Sequence, residues 1–301
     1  MKRDDYLGPG FGGNKIRKLE YLLGAAKQDG AEVVITCGGV KSNHARITAA
    51  LCARLGLECR LVLNPAAVSY PQLEPASLRA DRLYGARIHL VADRVERQTE
   101  MERLARELRA AGRRVLTIPL GASVPLGAIG FVEAAEEAAA QLAEMGVEVN
   151  SLYLCSSSGG TQAGLIVGRE LFPGLADEVI GVSPDGTRNE ITRVVTEIAR
   201  GAGELLGLPP GSDGRVEVVD DFVGQGYGIP TQAGEEALEL LARTEGVLLD
   251  PVYTAKAMAG LIDRIRSDQI EHDQTVLFWH TGGQLAIFYA PESLSSNSDQ
   301  S

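Results

Sequence analysis

Lys15 stands in Gly12-Gly13-Asn14-Lys15-Ile16-Arg17-Lys18-Leu19-Glu20-Tyr21, where a glycine pair opens into an amphipathic helical pattern. Glycine permits positive φ and close approach of another group, so this amine sits at the end of a tight turn rather than inside a charged helix face. Partial desolvation and neighbouring cations, here Arg17 and Lys18, lower an amine's pKa and leave it neutral and reactive. The plain alternative is a surface charge after ordinary Gly-Gly punctuation.

Three further segments join an apolar run to a helical one. Cys155-Ser156-Ser157-Ser158-Gly159-Gly160-Thr161-Gln162-Ala163-Gly164 places hydroxyls and two glycines at a helix start, where unpaired amides cradle an anion. It lacks the Gly-Lys-Ser/Thr ending of a nucleotide loop and the G-x-G-x-x-G spacing of a dinucleotide site, which points to a monophosphate ester; a capped Gly-rich turn is the alternative. Gly38-Gly39-Val40-Lys41-Ser42-Asn43-His44 offers Ser42 and Asn43, both ordinary N-cap residues as well as ligand contacts. His280-Thr281-Gly282-Gly283 puts the Thr281 hydroxyl at a strand end. Tyr227, between Gly226 and Gly228, and Tyr253, in the turn Leu249-Asp250-Pro251-Val252-Tyr253, are placed more like active-site phenols than core aromatics. A half-buried tyrosine with its hydroxyl in water is the commoner fate.

The elements that must position these groups alternate. Strands are expected at Glu32–Cys37, Glu58–Asn64, Arg87–Val91, Arg114–Ile118, Ser151–Cys155, Glu178–Ser183, Val216–Val219 and Thr275–Trp279. Helices are expected at Asn43–Leu55, Pro75–Tyr84, Arg94–Ala111, Ala128–Met145 and Ile191–Leu206. Strand–helix–strand units imply parallel sheets covered on both faces, with ligands at the carboxyl ends of strands. The loop Gly121–Gly127 is the expected boundary between two such regions, and the polar, serine-rich tail Ser293–Ser301 is expected to be disordered.

A chain of 301 residues, 45% hydrophobic, can fill two domains. Its net charge of −11 argues against nucleic acid or an anionic membrane as partner. Cys37, Cys52, Cys59 and Cys155 form no C-x-x-C pair, and the four histidines have no metal-ligand spacing, so no metal is expected. No apolar run approaches a membrane span and no signal peptide follows Met-Lys-Arg-Asp-Asp, so a cytoplasmic protein with reduced thiols is expected.

Together these blocks, from Lys2-Arg3-Asp4-Asp5 to His280-Thr281-Gly282-Gly283, resemble the pyridoxal-phosphate enzymes of the 1-aminocyclopropane-1-carboxylate deaminase and D-cysteine desulfhydrase family. The resemblance implies an α/β, two-domain, three-layer αβα sandwich of the tryptophan synthase β-like fold (fold type II). Residues 1–19 and 128–292 would form the larger domain and 20–127 the smaller. It implies pyridoxal 5'-phosphate held by Lys15 as a Schiff base, with Lys18, Ser157, Ser158, Gly159, Gly160 and Thr161 at the phosphate. Asn43 would meet the phenolic oxygen, Ser42 the substrate carboxylate and Thr281 the pyridine nitrogen, with Tyr227 and Tyr253 on the substrate side. A neutral threonine at that nitrogen gives a weaker electron sink, suited to expelling a good leaving group such as a thiolate.

Thr254 stands where the ring-opening deaminases have glutamate, and His44 where they tend to have glutamine; both favour the desulfhydrase branch. Lys41 replaces the family's usual glutamine and could select a more acidic substrate such as a sulfonate. Relatives carry a further segment before Lys2, so a truncated start is expected. The expected reaction is α,β-elimination from a small D-amino acid, foremost D-cysteine, by a homodimer. The alternatives are an aminocyclopropane-carboxylate deaminase, a cysteate sulfo-lyase, a catalytically silent protein that binds pyridoxal phosphate, and a phosphate-binding domain in which Lys15 is merely a charge.

Overall fold

A computed structural model describes residues 1–65, 75–209, 211 and 214–289; the expected disordered tail lies outside the described residues. In chain order the elements are β1 (Lys2–Arg3), α1 (Lys15–Gln28), β2 (Val33–Gly39), α2 (Asn43–Leu55), β3 (Glu58–Asn64), α3 (Ala76–Leu83), β4 (Arg87–Leu90), α4 (Glu96–Ala110) and β5 (Val115–Ile118). There follow α5 (Pro125–Met145), β6 (Ser151–Cys155), α6 (Gly160–Leu171), β7 (Glu178–Val182), α7 (Arg188–Leu205), β8 (Glu217–Val219), α8 (Gln232–Glu245), α9 (Thr254–Arg266) and β9 (Val276–His280).

The strands form two parallel sheets, ordered β1-β9-β6-β7-β8 and β4-β3-β2-β5. Strands buried on both faces need continuous apolar runs, and period two sends alternate residues to opposite layers. On β6, Leu152 and Leu154 enter a core with α5, α6 and α7, whereas Tyr153 and Cys155 enter another with α8 and α9. On β2, Val34 joins α1 and α2 while Val33, Ile35 and Cys37 meet α4. Each sheet is therefore the middle of an αβα sandwich.

Local chemistry moves several expected boundaries. Helix α5 starts at Pro125, not Ala128, because proline is pre-organised for the first helical position. Helix α7 starts at Arg188, not Ile191: Thr187 and Glu190 form a reciprocal capping box. Helix α4 starts at Glu96, not Arg94: residues 92–95 form a bend in which Asp93 Oδ1 accepts from the amides of Val95 and Glu96 at 2.7 and 3.2 Å. Strand β1 was not expected, because two charged residues carry no periodicity; it exists by pairing with β9, Lys2 opposite Trp279.

Small residues bring α1, α5 and α6 into close contact. A Cβ on Gly130 of α5 would lie 2.1 Å from the Arg17 carbonyl of α1, and one on Gly164 of α6 would lie 2.2 Å from the Ala128 carbonyl of α5. The N-termini of α1 and α6 are thereby held side by side.

Candidate active site

In each sheet the strand order reverses once. β6, β7 and β8 run one way with β9 on the other side of β6; β2, β3 and β4 run one way with β5 on the other side of β2. Such reversals leave a crevice between diverging loops at the carboxyl ends of the strands. Residues from all four loops, Ser156–Gly159, Thr281–Gly282, Lys41–Ser42 and Leu120–Gly121, line one cleft of about 700 Å³. Of the candidate catalytic and cofactor-binding residues named from sequence, all but Gly160 line it. Gly160 backs the wall, where a Cβ would lie 2.8 Å from Ser123 Oγ.

Lys15 opens α1 after Gly12 and Gly13, whose φ values are +71° and +115°. A Cβ on Gly12 would sit 2.0 Å from the Asp5 carbonyl, so only glycine fits this turn. Lys15 Nζ donates to Asn14 Oδ1 at 3.0 Å, and Asn14 Nδ2 donates to Thr161 Oγ1 at 2.9 Å, pinning α1 to α6. Burial lowers the Lys15 pKa to about 8, against the opposing pull of Cys155 and Asp250. The expected help from Arg17 is absent: residues two apart on a helix do not share a face, and Arg17 turns to Asp4 and Glu137 at 3.1 and 2.8 Å. Lys18, one turn on, is 1% exposed and donates to Ser123 Oγ at 3.0 Å and the Gly121 carbonyl at 3.4 Å. Burial, then Lys15, holds its pKa well below the ordinary value.

Helix α6 begins at Gly160 with Gly159 as N-cap at φ +80° and no side-chain cap. Its N-terminus therefore offers amides to the cleft. Around it, Ser158 Oγ lies 2.7 Å from Ser123 Oγ, Ser157 donates to Asp185 at 3.0 Å, and Ser156 Oγ is buried with no hydrogen-bond partner among the described residues. On the other side, Ser42 caps α2, accepting from the Ala45 amide at 3.2 Å. Asn43 Oδ1 accepts from Arg46 Nη1 at 2.7 Å, which fixes the amide with Nδ2 as its remaining donor.

His44 is 3% exposed, and burial followed by Lys15 and Lys18 pushes its pKa down to about 3. Thr36 donates to the Ile118 carbonyl at 2.8 Å, so at 2.7 Å it accepts from His44 Nε2–H, and Nδ1 has no partner among the described residues. The opposite wall carries Tyr227 and Tyr253, hydroxyls 2.5 Å apart. Desolvation of the hydroxyls raises both phenol pKa values, Tyr253 well above the usual range, while Tyr227 as a residue stays 45% exposed. Asp250 beneath them accepts from the amides of Val252, Tyr253 and Thr254 and from Thr254 Oγ1, fixing the turn. Thr281, 6% exposed, follows β9, and its carbonyl accepts from the Asn14 amide at 3.0 Å.

Sequence reasoning missed Asn14, Ser123 and Asp185, whose partners lie 147, 35 and 28 residues away along the chain. It also missed Lys256, with no local signal at all. Among the described residues no His, Cys, Asp and Glu grouping could hold a metal, and no helix is long and apolar enough to cross a membrane.

The donors suit a phosphate monoester that also carries a carbonyl carbon: an uncapped helix N-terminus, an unpartnered Ser156 hydroxyl, buried Lys18, and an amine of lowered pKa alongside. Pyridoxal phosphate has both groups. Residues 1–282 match the family described as pyridoxal-phosphate dependent enzymes, and the chain belongs to that family. Within it, the chain is 42% identical over 291 residues to the D-cysteine desulfhydrase of Salmonella choleraesuis (strain SC-B67), covering 96% of this chain and 87% of that one. The D-cysteine desulfhydrase of Salmonella paratyphi C (strain RKS4594) is similar to the same degree over the same spans. Among solved structures, an ACC deaminase homologue superposes with a TM-score of 0.86 at 36% identity, over 98% of this chain and 87% of that one. A fungal L-serine ammonia-lyase from Rhizomucor miehei, at 18% identity and a TM-score of 0.68 over 98% of this chain and 92% of that one, shares the fold. The fold is thus the two-sheet, fold type II architecture of these enzymes.

Proposed function

We propose that this protein is a carbon–sulfur lyase that converts D-cysteine and water into pyruvate, ammonia and hydrogen sulfide. One observation carries the reading: a single cleft holds an amine with a pKa of about 8, an uncapped helix N-terminus and, on the facing wall, a hydrogen-bonded pair of protonated phenols. The relatives named D-cysteine desulfhydrase support the substrate.

Bound pyridoxal phosphate supplies the electron sink that makes the substrate Cα–H acidic. Lys15 would hold it covalently at its carbonyl carbon. Lys18, the α6 N-terminus and the Ser157, Ser158, Gly159, Gly160 and Thr161 segment would hold its phosphate. Asn43 Nδ2, oriented by Arg46, would donate to its phenolic oxygen, and Thr281 would present a neutral hydroxyl to its pyridine nitrogen. The Ser42 hydroxyl donates to the substrate carboxylate while its oxygen still caps α2. The Lys15 amine, neutral once free, accepts the Cα proton. The Cβ–S bond breaks with its electron pair on sulfur, and the Tyr227–Tyr253 pair, protonated at neutral pH, can pass a proton to that thiolate. The released enamine takes up a proton at Cβ to become the imine of pyruvate, and water adds to the imine carbon and expels the nitrogen as ammonia.

The solved ACC deaminase homologue favours a second reading, ring-opening deamination. Thr254 weighs against it: its hydroxyl donates to the fully buried Asp250 and accepts from the Asp250 amide. A glutamate at that position would set a second carboxylate against Asp250 in a low-dielectric turn. Lys41, on the cleft wall, keeps cysteate as a third substrate to compare. Sulfide from D- and L-cysteine, sulfite from cysteate and 2-oxobutyrate from aminocyclopropane carboxylate, measured side by side, decide among them. Pyridoxal phosphate binding with no product from any of these would establish the silent reading.

We further read residues 1–19 and 128–292 as the larger domain and 20–127 as the smaller, with α1 bridging them. A homodimer fits the exposed Tyr6, Phe11 and Phe288 side chains, and a cytoplasmic setting fits four buried free cysteines. Sedimentation of the purified protein and fractionation of cells check these two points.

A further inference from the structure

Lys256 on α9 is fully buried, and its three ammonium protons go to three main-chain carbonyls. Nζ donates to Val223 at 2.8 Å, Pro184 at 3.0 Å and Gly226 at 3.2 Å. No carboxylate lies within ion-pairing distance of it among the described residues; Asp185 and Asp250 act on it only from farther off. A buried charge ordinarily needs a counter-ion, yet here carbonyl dipoles from the segments after β7 and β8 take that role, as carbonyls do around an alkali cation. The third carbonyl belongs to the residue before Tyr227, in a loop whose Gly226 and Gly228 have φ of +120° and +78° and so lend it little stiffness of their own. Lys256 ties the Gly226 carbonyl, and with it the stretch that carries Tyr227, to α9.

We propose that Lys256 is a positioning residue: a tethered monovalent cation whose carbonyl cage holds the Tyr227 loop so that the Tyr227 hydroxyl meets that of Tyr253 on the cleft wall. The link to turnover rests on the proposed elimination, whereas the cage itself does not.

Lys256→Ala deletes the ammonium and leaves three carbonyls around space that ammonium, methylammonium or K⁺ can enter. Amide hydrogen exchange of the peptide spanning residues 221–230 in the cofactor-free protein is expected to quicken at least tenfold in Lys256→Ala. It is expected to return toward wild type in ammonium or methylammonium chloride but not in tetramethylammonium chloride. In the holoenzyme the same salts restore sulfide release from D-cysteine, and adding Tyr227→Phe to Lys256→Ala lowers kcat/KM by less than twofold further. Exchange unchanged in residues 221–230, or quickened with no response to small cations, overturns the cage. Exchange rescued while the Lys256 and Tyr227 substitutions multiply their effects on kcat/KM overturns the link to Tyr227. If wild type releases no sulfide, the elimination reading fails and the exchange data still decide the cage. Should Lys256→Ala not be recovered folded, Lys256→Gln, which keeps donors without the charge, is expected to quicken the same peptide; wild-type exchange there overturns the need for a cation.

Discussion

The two crevices are built by the same topological device and finished in opposite ways. At the small-sheet reversal, helix α2 is closed by its own Ser42, and Asn43 is already tied to Arg46. At the large-sheet reversal, α6 has a glycine N-cap and, among the described residues, no side-chain cap and a buried serine with no partner. A helix that supplies its own cap has spent its strongest anion-binding amides, which is why we propose the phosphate site at α6 and a role for α2 through its aimed side chains. Lys15 sits between them, delivered by α1, which packs through Gly130 of α5. The difference separates holding the cofactor from orienting what reacts on it.

The largest effect expected from this division is at Lys15. Lys15→Ala should cut sulfide release by at least about 10⁴-fold, losing both the covalent attachment and the base, and should abolish the visible absorbance of the holoenzyme. Turnover that survives the substitution would end the present assignment. Next comes the contrast itself. Lys18→Met removes the buried cation beside the α6 cradle, and loss of a charge-assisted hydrogen bond should weaken pyridoxal phosphate binding about 10- to 100-fold in a fluorescence titration. Ser42→Ala should leave that affinity within about twofold. The reverse ranking would place the phosphate at the wrong helix.

A third expectation concerns pH. The Lys15 pKa is lowered to about 8, so the amine loses its proton between pH 7 and 9 rather than near 10.5. Only the neutral amine attacks a carbonyl carbon. Reconstitution of the cofactor-free protein should therefore quicken about tenfold from pH 7 to pH 9 and then level off, whereas an unperturbed lysine would keep gaining beyond pH 10. A stopped-flow series at constant ionic strength separates the two curves.

Much of this was legible in the chain because its signals are local. Apolar strands alternating with helices foretell the parallel sheets, and the glycine pair before Lys15 foretells a turn closed to side chains. The Asn14–Thr161 bond and the Lys256 cage were not legible, since each joins residues far apart in sequence and leaves no periodicity. Strand β1 escaped for a related reason: pairing with β9 makes it, not its own composition. The misjudgement of Arg17 has a different origin, because proximity along the chain was taken for proximity in space, and helix geometry sends residues 15 and 17 to different faces. At the start of α2 the sequence left two readings of Ser42, a cap or a ligand contact; the structure shows the cap, and the contact with a substrate carboxylate is our proposal beside it.

That double use makes the smallest and sharpest test. Ser42→Ala removes the cap and should cost about 1 kcal/mol, a drop in Tm of about 2 °C for a chain of this size, while also raising KM for D-cysteine. Those losses cannot be told apart in the alanine variant. Ser42→Asp separates them: aspartate caps a helix as well as serine does, so Tm should stay near that of wild type. The same side chain offers a carboxylate oxygen where serine offers a proton, so a substrate carboxylate would meet a like charge. KM should then rise at least about tenfold, as expected when a charge-assisted hydrogen bond gives way to repulsion. A Ser42→Asp variant with both Tm and KM unchanged would show that the hydroxyl only caps α2 and that the carboxylate is met elsewhere, with Lys41 the nearest cation of that loop to examine.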